Sequence, residues 1–290
     1  MEKGASNKLM TLMSYARLAG KVDSSKEETE STEPSTASGP KPPNRTEAPI
    51  DQSRHLKIFT VGFILCQVVG VLCVALVGAW TGHYFGGFAW QSDPRLQFNY
   101  HPLFIVIGLV FLYGNAILVY RVLRNERKEI LKLVHAGIHT VVFIFTVVSL
   151  KAVFDSHNLA VKPIPNMFSL HSWLGLAAVV LFSLQFVCGF VSYLFPGLAL
   201  YWRALYLPFH VYFGVLIYIL GLASTLTGIT EKLIFNKNYK DLPEAAVLGN
   251  ILGMALVCHG ILVVYLVTAP QFIRQPLTEE VNLTPDSSVN

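Results

Sequence analysis

The sequence predicts an all-α polytopic membrane protein with six transmembrane helices. Three observations carry this reading. Hydrophobic residues make up 53% of the 290-residue chain and charged residues only 14%, where a soluble domain carries about 25% charged. Six apolar runs, at 58–80, 101–122, 131–153, 169–195, 206–229 and 246–268, each approach the ~20 residues that cross a bilayer. The segments between them are too short for a soluble domain and hold no flavin or nicotinamide fingerprint. In lipid a backbone must satisfy its own polar groups, so the runs are helices.

Residues 1–54 precede the first run and are polar, with stretches such as SSKEETESTEPSTASGPKPP. This composition buries too little apolar surface to offset the entropy of ordering, so a disordered cytosolic tail is expected. A short amphipathic helix over Leu9–Leu18 competes there with a frayed tail. The stretch lacks the apolar core of a secretory signal. Residues 55–270 form the transmembrane domain, and 271–290 a cytosolic C-terminal tail.

The first run carries Cys66 and Cys73; Cys188 and Cys258 lie in later ones. None forms a C-x-x-C pair, and they read as small buried apolar residues. The second run opens with His101, the third with His135, the fourth with His171 and the fifth with His210. The sixth holds only His259.

Basic residues orient the bundle. Arg54 and Lys57 precede the first run. Arg121, Arg124, Arg127, Lys128 and Lys132 crowd the second loop, Arg203 lies in the fourth, and Arg274 follows the sixth run. The opposite side carries Arg95, Lys151, Lys162, Lys232, Lys237 and Lys240. Both termini are therefore placed in the cytosol, which leaves the sequons at Asn44 and Asn282 unglycosylated. The net charge of +4 is modest and no arginine-rich face with interleaved aromatics exists, so nucleic acid is not an expected partner.

A histidine at the edge of a membrane span is costly, which makes each of the four a functional candidate. Alternating span direction places His101 and His171 at the non-cytosolic face, and His135 and His210 at the cytosolic face. Two imidazoles facing across a helix bundle can fill both axial positions of a haem iron; a zinc site needs more ligands per face. Gly175 and Gly214, one turn past their histidines, and Gly108, two turns past His101, could leave room for a flat ring. Small-residue helix packing is the other explanation. His139 rivals His135 one turn deeper, and His135 matches the depth of His210 better. No span carries two histidines four turns apart, the pattern of ferric reductases of the NADPH-oxidase type. A haem-free transporter or proton channel with histidine relays is the competing reading. A membrane scaffold leaves the pairs unexplained.

The chain resembles the cytochrome b561 family. The likeness rests on FNYHP at 98–102, KLVHAGIH at 132–139, NMFSLHSWLG at 166–175, LPFHVYFG at 207–214, TGITEKLIF at 227–235 and LPEAAVLGN at 242–250. It implies a homodimer with two b haems per chain in a four-helix core of spans two to five. His101 with His171 and His135 with His210 are then the haem ligands. It implies an ascorbate-dependent transmembrane oxidoreductase that passes electrons from cytosolic ascorbate to monodehydroascorbate or ferric iron. The cytosolic ascorbate site falls on Lys128, Lys132 and Arg203, with Arg121 close by; 128, 132 and 135 share one helical face. The non-cytosolic acceptor site falls on His157, Asn158, Asn166, Phe168 and Asn250. Many relatives carry Tyr where this chain has Phe168, so a hydroxyl donor is missing and His157 is the side chain there that could ligate iron. The family occupies secretory vesicles, endolysosomes and the plasma membrane, and the sequence does not choose among them.

Overall fold

The computed structural model describes residues 47–235 and 238–277. The Leu9–Leu18 helix, the two sequons and most of both tails lie outside the described residues. Six helices are long and apolar enough to cross a membrane: α1 Gln52–Tyr84, α2 Pro94–Val122, α3 Lys128–Asn158, α4 Leu170–Tyr193, α5 Leu200–Phe235 and α6 Glu244–Thr268. No strand occurs among the described residues. The helix of α1 is already formed at Glu47, inside the stretch expected to be tail. α5 runs six residues beyond its apolar run, to Phe235, and brings Lys232 onto the helix.

Local chemistry sets the helix starts that matter for function. Asp93 caps α2, accepting hydrogen bonds from the backbone N–H groups of Arg95 (2.9 Å) and Leu96 (3.3 Å), with Pro94 at the first helical position. Pro102 has no N–H to offer the Phe98 carbonyl; the N–H of His101 bonds it instead at 2.9 Å. Ser169 caps α4 by accepting from the N–H of Ser172 at 3.3 Å, which fixes His171 in the first turn. Ser169→Ala should cost about 1 kcal/mol, readable as a lower detergent melting temperature.

α2 is not a uniform helix. Val106–Leu112 adopts π-helical turns between His101 and Tyr113. A π segment inserts a residue and shifts the register of the helix beyond it. The Phe111 carbonyl within it accepts from the Asn115 side-chain amide at 2.9 Å, so the wider turn leaves that group satisfied.

α4 lies along α5, α1 along α6, and α2 against α3. Two apolar clusters fill the interior. Phe59, Tyr113, Leu118, Val142, Phe182 and Tyr218 mark one; Val77, Trp80, Val106, Leu233 and Leu256 mark the other. Exposed apolar rows, such as Val61, Ile64, Leu65 and Val68 on α1, recur at three- and four-residue spacing. This is the signature of a face turned to lipid. Polar ties lock the ends. The Trp80 indole donates to the Ala245 carbonyl at 2.8 Å. The Arg121 guanidinium donates to the carbonyls of Val267 and Ala269 at the end of α6.

Candidate site: two histidine pairs in a helical bundle

The four histidines stand on four different helices and meet as two pairs. The His101 and His171 rings lie 5.9 Å apart between centroids, and the His135 and His210 rings 6.2 Å apart. Two metal–imidazole bonds of about 2 Å in line, plus half a ring at each end, span roughly 6 Å. Each pair therefore has the separation of two axial ligands on one ion.

Three rings are held by Nδ1. His135 Nδ1 lies 2.8 Å from the Ala116 carbonyl oxygen. His171 Nδ1 lies 2.8 Å from the Ser224 carbonyl oxygen and 3.2 Å from its hydroxyl. His101 Nδ1 lies 2.9 Å from the Ser149 hydroxyl. An Nδ1–H donated to a carbonyl fixes the tautomer and leaves Nε2 as the lone-pair nitrogen, the usual support for a ligating histidine. His210 is held differently. Its backbone carbonyl accepts from the Gln185 amide at 2.8 Å, its ring packs between Tyr193 and Tyr206, and its buried Nδ1 has no hydrogen-bond partner.

His139 is buried at 7% exposure. It packs against Tyr113, Phe182 and the edge of His135. It lies one turn deeper than His135 on the same helix, and its buried Nδ1 has no hydrogen-bond partner. His259 is 1% exposed; the Tyr218 hydroxyl lies 3.1 Å from its Nδ1, away from both pairs.

A cavity of about 860 Å³ opens around the first pair, bounded by His101, His171, Leu109, Gly175 and Gly228. Its volume, its mostly apolar walls and the two imidazoles fit a flat macrocycle such as haem. Of the expected acceptor residues, His157, Asn166 and Phe168 line this cavity. Asn166 joins the group: its side-chain oxygen lies 3.1 Å from His157 Nδ1, and its amide donates to Asn158 at 2.9 Å. Phe168 is 54% exposed and leans on Phe235. Asn250 stands apart and accepts from the Tyr239 hydroxyl at 3.3 Å. The loop between α1 and α2 is pinned beside this group through Asp155, which accepts from Gln91, Gln97 and Lys151 at 2.8–3.1 Å.

Of the three glycines expected to leave room for a flat ring, Gly175 lines the cavity, while Gly108 and Gly214 face side chains of neighbouring helices. A Cβ at Gly108 would meet Phe145 at 3.1 Å, and one at Gly214 the Gln185 amide at 3.3 Å. These two serve helix packing. Gly175 does line the cavity, but its Cβ would press the Ser224 hydroxyl at 3.0 Å. The close approaches to ligands come from the partner helices. A Cβ at Gly228 would stand 2.6 Å from His171 Cε1, and one at Gly189 3.1 Å from His210 Cε1. Gly228 lies in the TGITEKLIF stretch; Gly189 has no signal beyond being a glycine on the span opposite His210.

At the opposite end Lys132 has Arg203 and Lys128 as charged neighbours, with the Glu129 carboxylate also within reach. Arg203 Nε is buried without a hydrogen-bond partner. Three cations with an unsatisfied donor among them fit an anion. Arg121, expected close by, donates to the last carbonyls of α6.

Among the described residues no group of three or more His, Cys, Asp or Glu side chains is arranged as a metal site. Each histidine pair supplies two imidazoles, the number that a haem iron accepts from a protein.

The profile of eukaryotic cytochrome b561 matches residues 100–236, the stretch that holds all four histidines. A putative transmembrane ascorbate-dependent reductase CYB561 homolog of Caenorhabditis elegans is 41% identical over 243 residues, covering 80% of this chain and 91% of the relative. The transmembrane ascorbate-dependent reductase CYB561 of Homo sapiens is 44% identical over 222 residues, covering 76% and 87%. The plasma membrane ascorbate-dependent reductase CYBRD1 of Xenopus tropicalis is 41% identical over 230 residues, covering 78% and 80%.

Proposed function

Because the chain belongs to the cytochrome b561 family, we propose that it is an ascorbate-dependent transmembrane oxidoreductase with two b haems per chain. The single observation that carries this reading is the pair of histidine pairs at opposite ends of one bundle, 5.9 and 6.2 Å across. When bound, the haems supply one-electron chemistry and a path between the two faces. Pyridine haemochrome analysis of the purified protein should return two haems per chain. A value of one removes a site.

The chain's own residues divide the remaining work. Lys128, Lys132 and Arg203 hold the ascorbate anion at the cytosolic end. His101 with His171 and His135 with His210 would hold the two haems, which would supply one-electron transfer. His157, Asn158, Asn166 and Phe168 receive monodehydroascorbate or ferric iron at the other end, with Asn250 at the margin of that surface. The apolar clusters between the two ends keep water out of the path. Both termini face the cytosol, and the functional unit is a homodimer in an endomembrane or plasma-membrane bilayer.

Neutralising Lys132 or Arg203 removes a charge-assisted contact of about 1.5–3 kcal/mol. Haem reduction by ascorbate should slow roughly 10- to 100-fold in stopped flow, while reduction by dithionite is unchanged. Equal ascorbate kinetics in both variants would rule this site out.

His157 is the candidate iron ligand of the exit. His157→Ala should lower ferric-chelate reduction by ascorbate-loaded vesicles. Phe168→Tyr should raise acceptor affinity by about one hydrogen bond, ~1 kcal/mol. If neither variant alters rate or apparent affinity, the acceptor binds elsewhere.

A further inference from the structure

The non-cytosolic cavity holds a cation, Lys232, with no part in haem ligation or in the His157 group. Ser224, Gly228 and Lys232 succeed one another at four-residue spacing on one face of α5. Ser224 anchors His171, Gly228 leaves room beside its ring, and Lys232 continues the row toward the open end of the cavity. Its ammonium lies 4.2 Å from the centroid of the Phe98 ring and 4.9 Å from that of Phe85.

Two aromatic faces fix the amine and strip part of its water, but they do not neutralise it. Among the described residues Lys232 makes no ion pair with a carboxylate. Glu231 and Asp93 line the same cavity. Asp93 is engaged with Arg95, at 3.7 Å, and with the cap of α2. Arg95 adds a second positive charge to this wall, and Glu231 makes no ion pair with either cation among the described residues. A positive charge held against an apolar cavity, without a counter-ion from the protein, is a receptor for an anion.

We propose that Lys232 binds a carboxylate or enolate anion inside the cavity, with Arg95 adding to the attraction from the rim. Two sources offer that chemistry: a propionate of the haem held by His101 and His171, or an anionic electron acceptor arriving past the His157 loop. The inference rests on the proposed function and deepens it.

The test uses the full-length protein with Lys232→Gln and Lys232→Arg. Three quantities are read: haem content, the midpoint potential of each haem by spectral redox titration, and KM for anionic and uncharged acceptors. A propionate partner predicts that K232Q lowers the potential or the occupancy of the haem at His101 and His171. The other haem and the KM values stay put, because loss of a nearby positive charge favours the oxidised, more positive iron. An acceptor partner predicts at least a tenfold rise in KM for an anionic acceptor such as ferric citrate. KM for an uncharged acceptor and both potentials then stay at wild type. In either case K232R, which keeps the charge, restores most of the effect. The cytosolic haem spectrum reports folding, and Lys232→Met, apolar and of similar length, serves if K232Q does not fold. The inference is overturned if a folded, neutral variant keeps haem content, both potentials and both KM values within twofold of wild type. A wild-type protein without haem overturns the underlying reading first, and this inference with it.

Discussion

Alanine at His101 or His171 should remove the non-cytosolic haem and leave the cytosolic one, so that haem content falls from two per chain to one. Alanine at His135 or His210 should produce the mirror result. Each pair lies on separate helices at a separation that fits axial ligation, so each substitution removes half of one iron's axial field. Absorption spectra should show the loss of one component, not a uniform weakening of both. His139→Ala discriminates the ligand at the cytosolic end. Its ring packs on His135, Tyr113 and Phe182, so the variant should retain two haems with some loss of stability. Retention of both haems in His135→Ala, with loss of one in His139→Ala, would exchange the two roles.

The second large effect comes from a residue with no functional group. Gly228→Leu should abolish the non-cytosolic haem while the protein still folds and still binds the cytosolic one. Any side chain at this position begins 2.6 Å from His171 Cε1, well inside van der Waals contact, so the ring or the helix must shift. His171 is pinned through Nδ1 to Ser224, one turn back on the same helix as Gly228. Gly228→Ala should show the same loss in milder form, as reduced occupancy and a shifted spectrum. Gly189→Ala, at 3.1 Å from His210, should disturb the cytosolic haem less. Gly137 is the control: nothing lies within 4 Å of a Cβ there, so Gly137→Ala should leave both haems intact and add up to ~1 kcal/mol of helix stability. A Gly228→Leu protein with a full complement of two haems would show that His171 does not hold its position through this contact.

Much of the architecture is legible in the residues because lipid leaves the chain few choices. A run of about 20 apolar residues becomes a helix wherever it falls, and alternation of direction then assigns each histidine to a face. The pairing of His101 with His171 and of His135 with His210 emerges from that topology. The steric partners of the ligands are not legible. Spacing along the ligand's own helix points to Gly108, Gly175 and Gly214, whereas Gly189 and Gly228 approach the rings from the opposite helix. Spacing within a helix is written in the sequence; the register between helices depends on packing. The π-helical turns of α2 alter that register further. Arg121 illustrates the same limit. The resemblance sets it close to the ascorbate site, and the fold adds a contact the residues do not announce, with the guanidinium on the last carbonyls of α6. The sequence places Lys232 in a loop because the apolar run stops before it, and only the continuation of α5 to Phe235 carries it to the cavity wall.

The central claim is that electrons cross the membrane between the two histidine pairs, and sealed proteoliposomes test it most directly. Vesicles are loaded with ascorbate and given an impermeant ferric chelate outside, and chelate reduction is followed by absorbance. The population with its cytosolic face inward should reduce the chelate, and both His135→Ala and His171→Ala should suppress this, since either haem alone leaves the path incomplete. Wild-type reduction no faster than in protein-free vesicles, or undiminished reduction in the two variants, would contradict the claim.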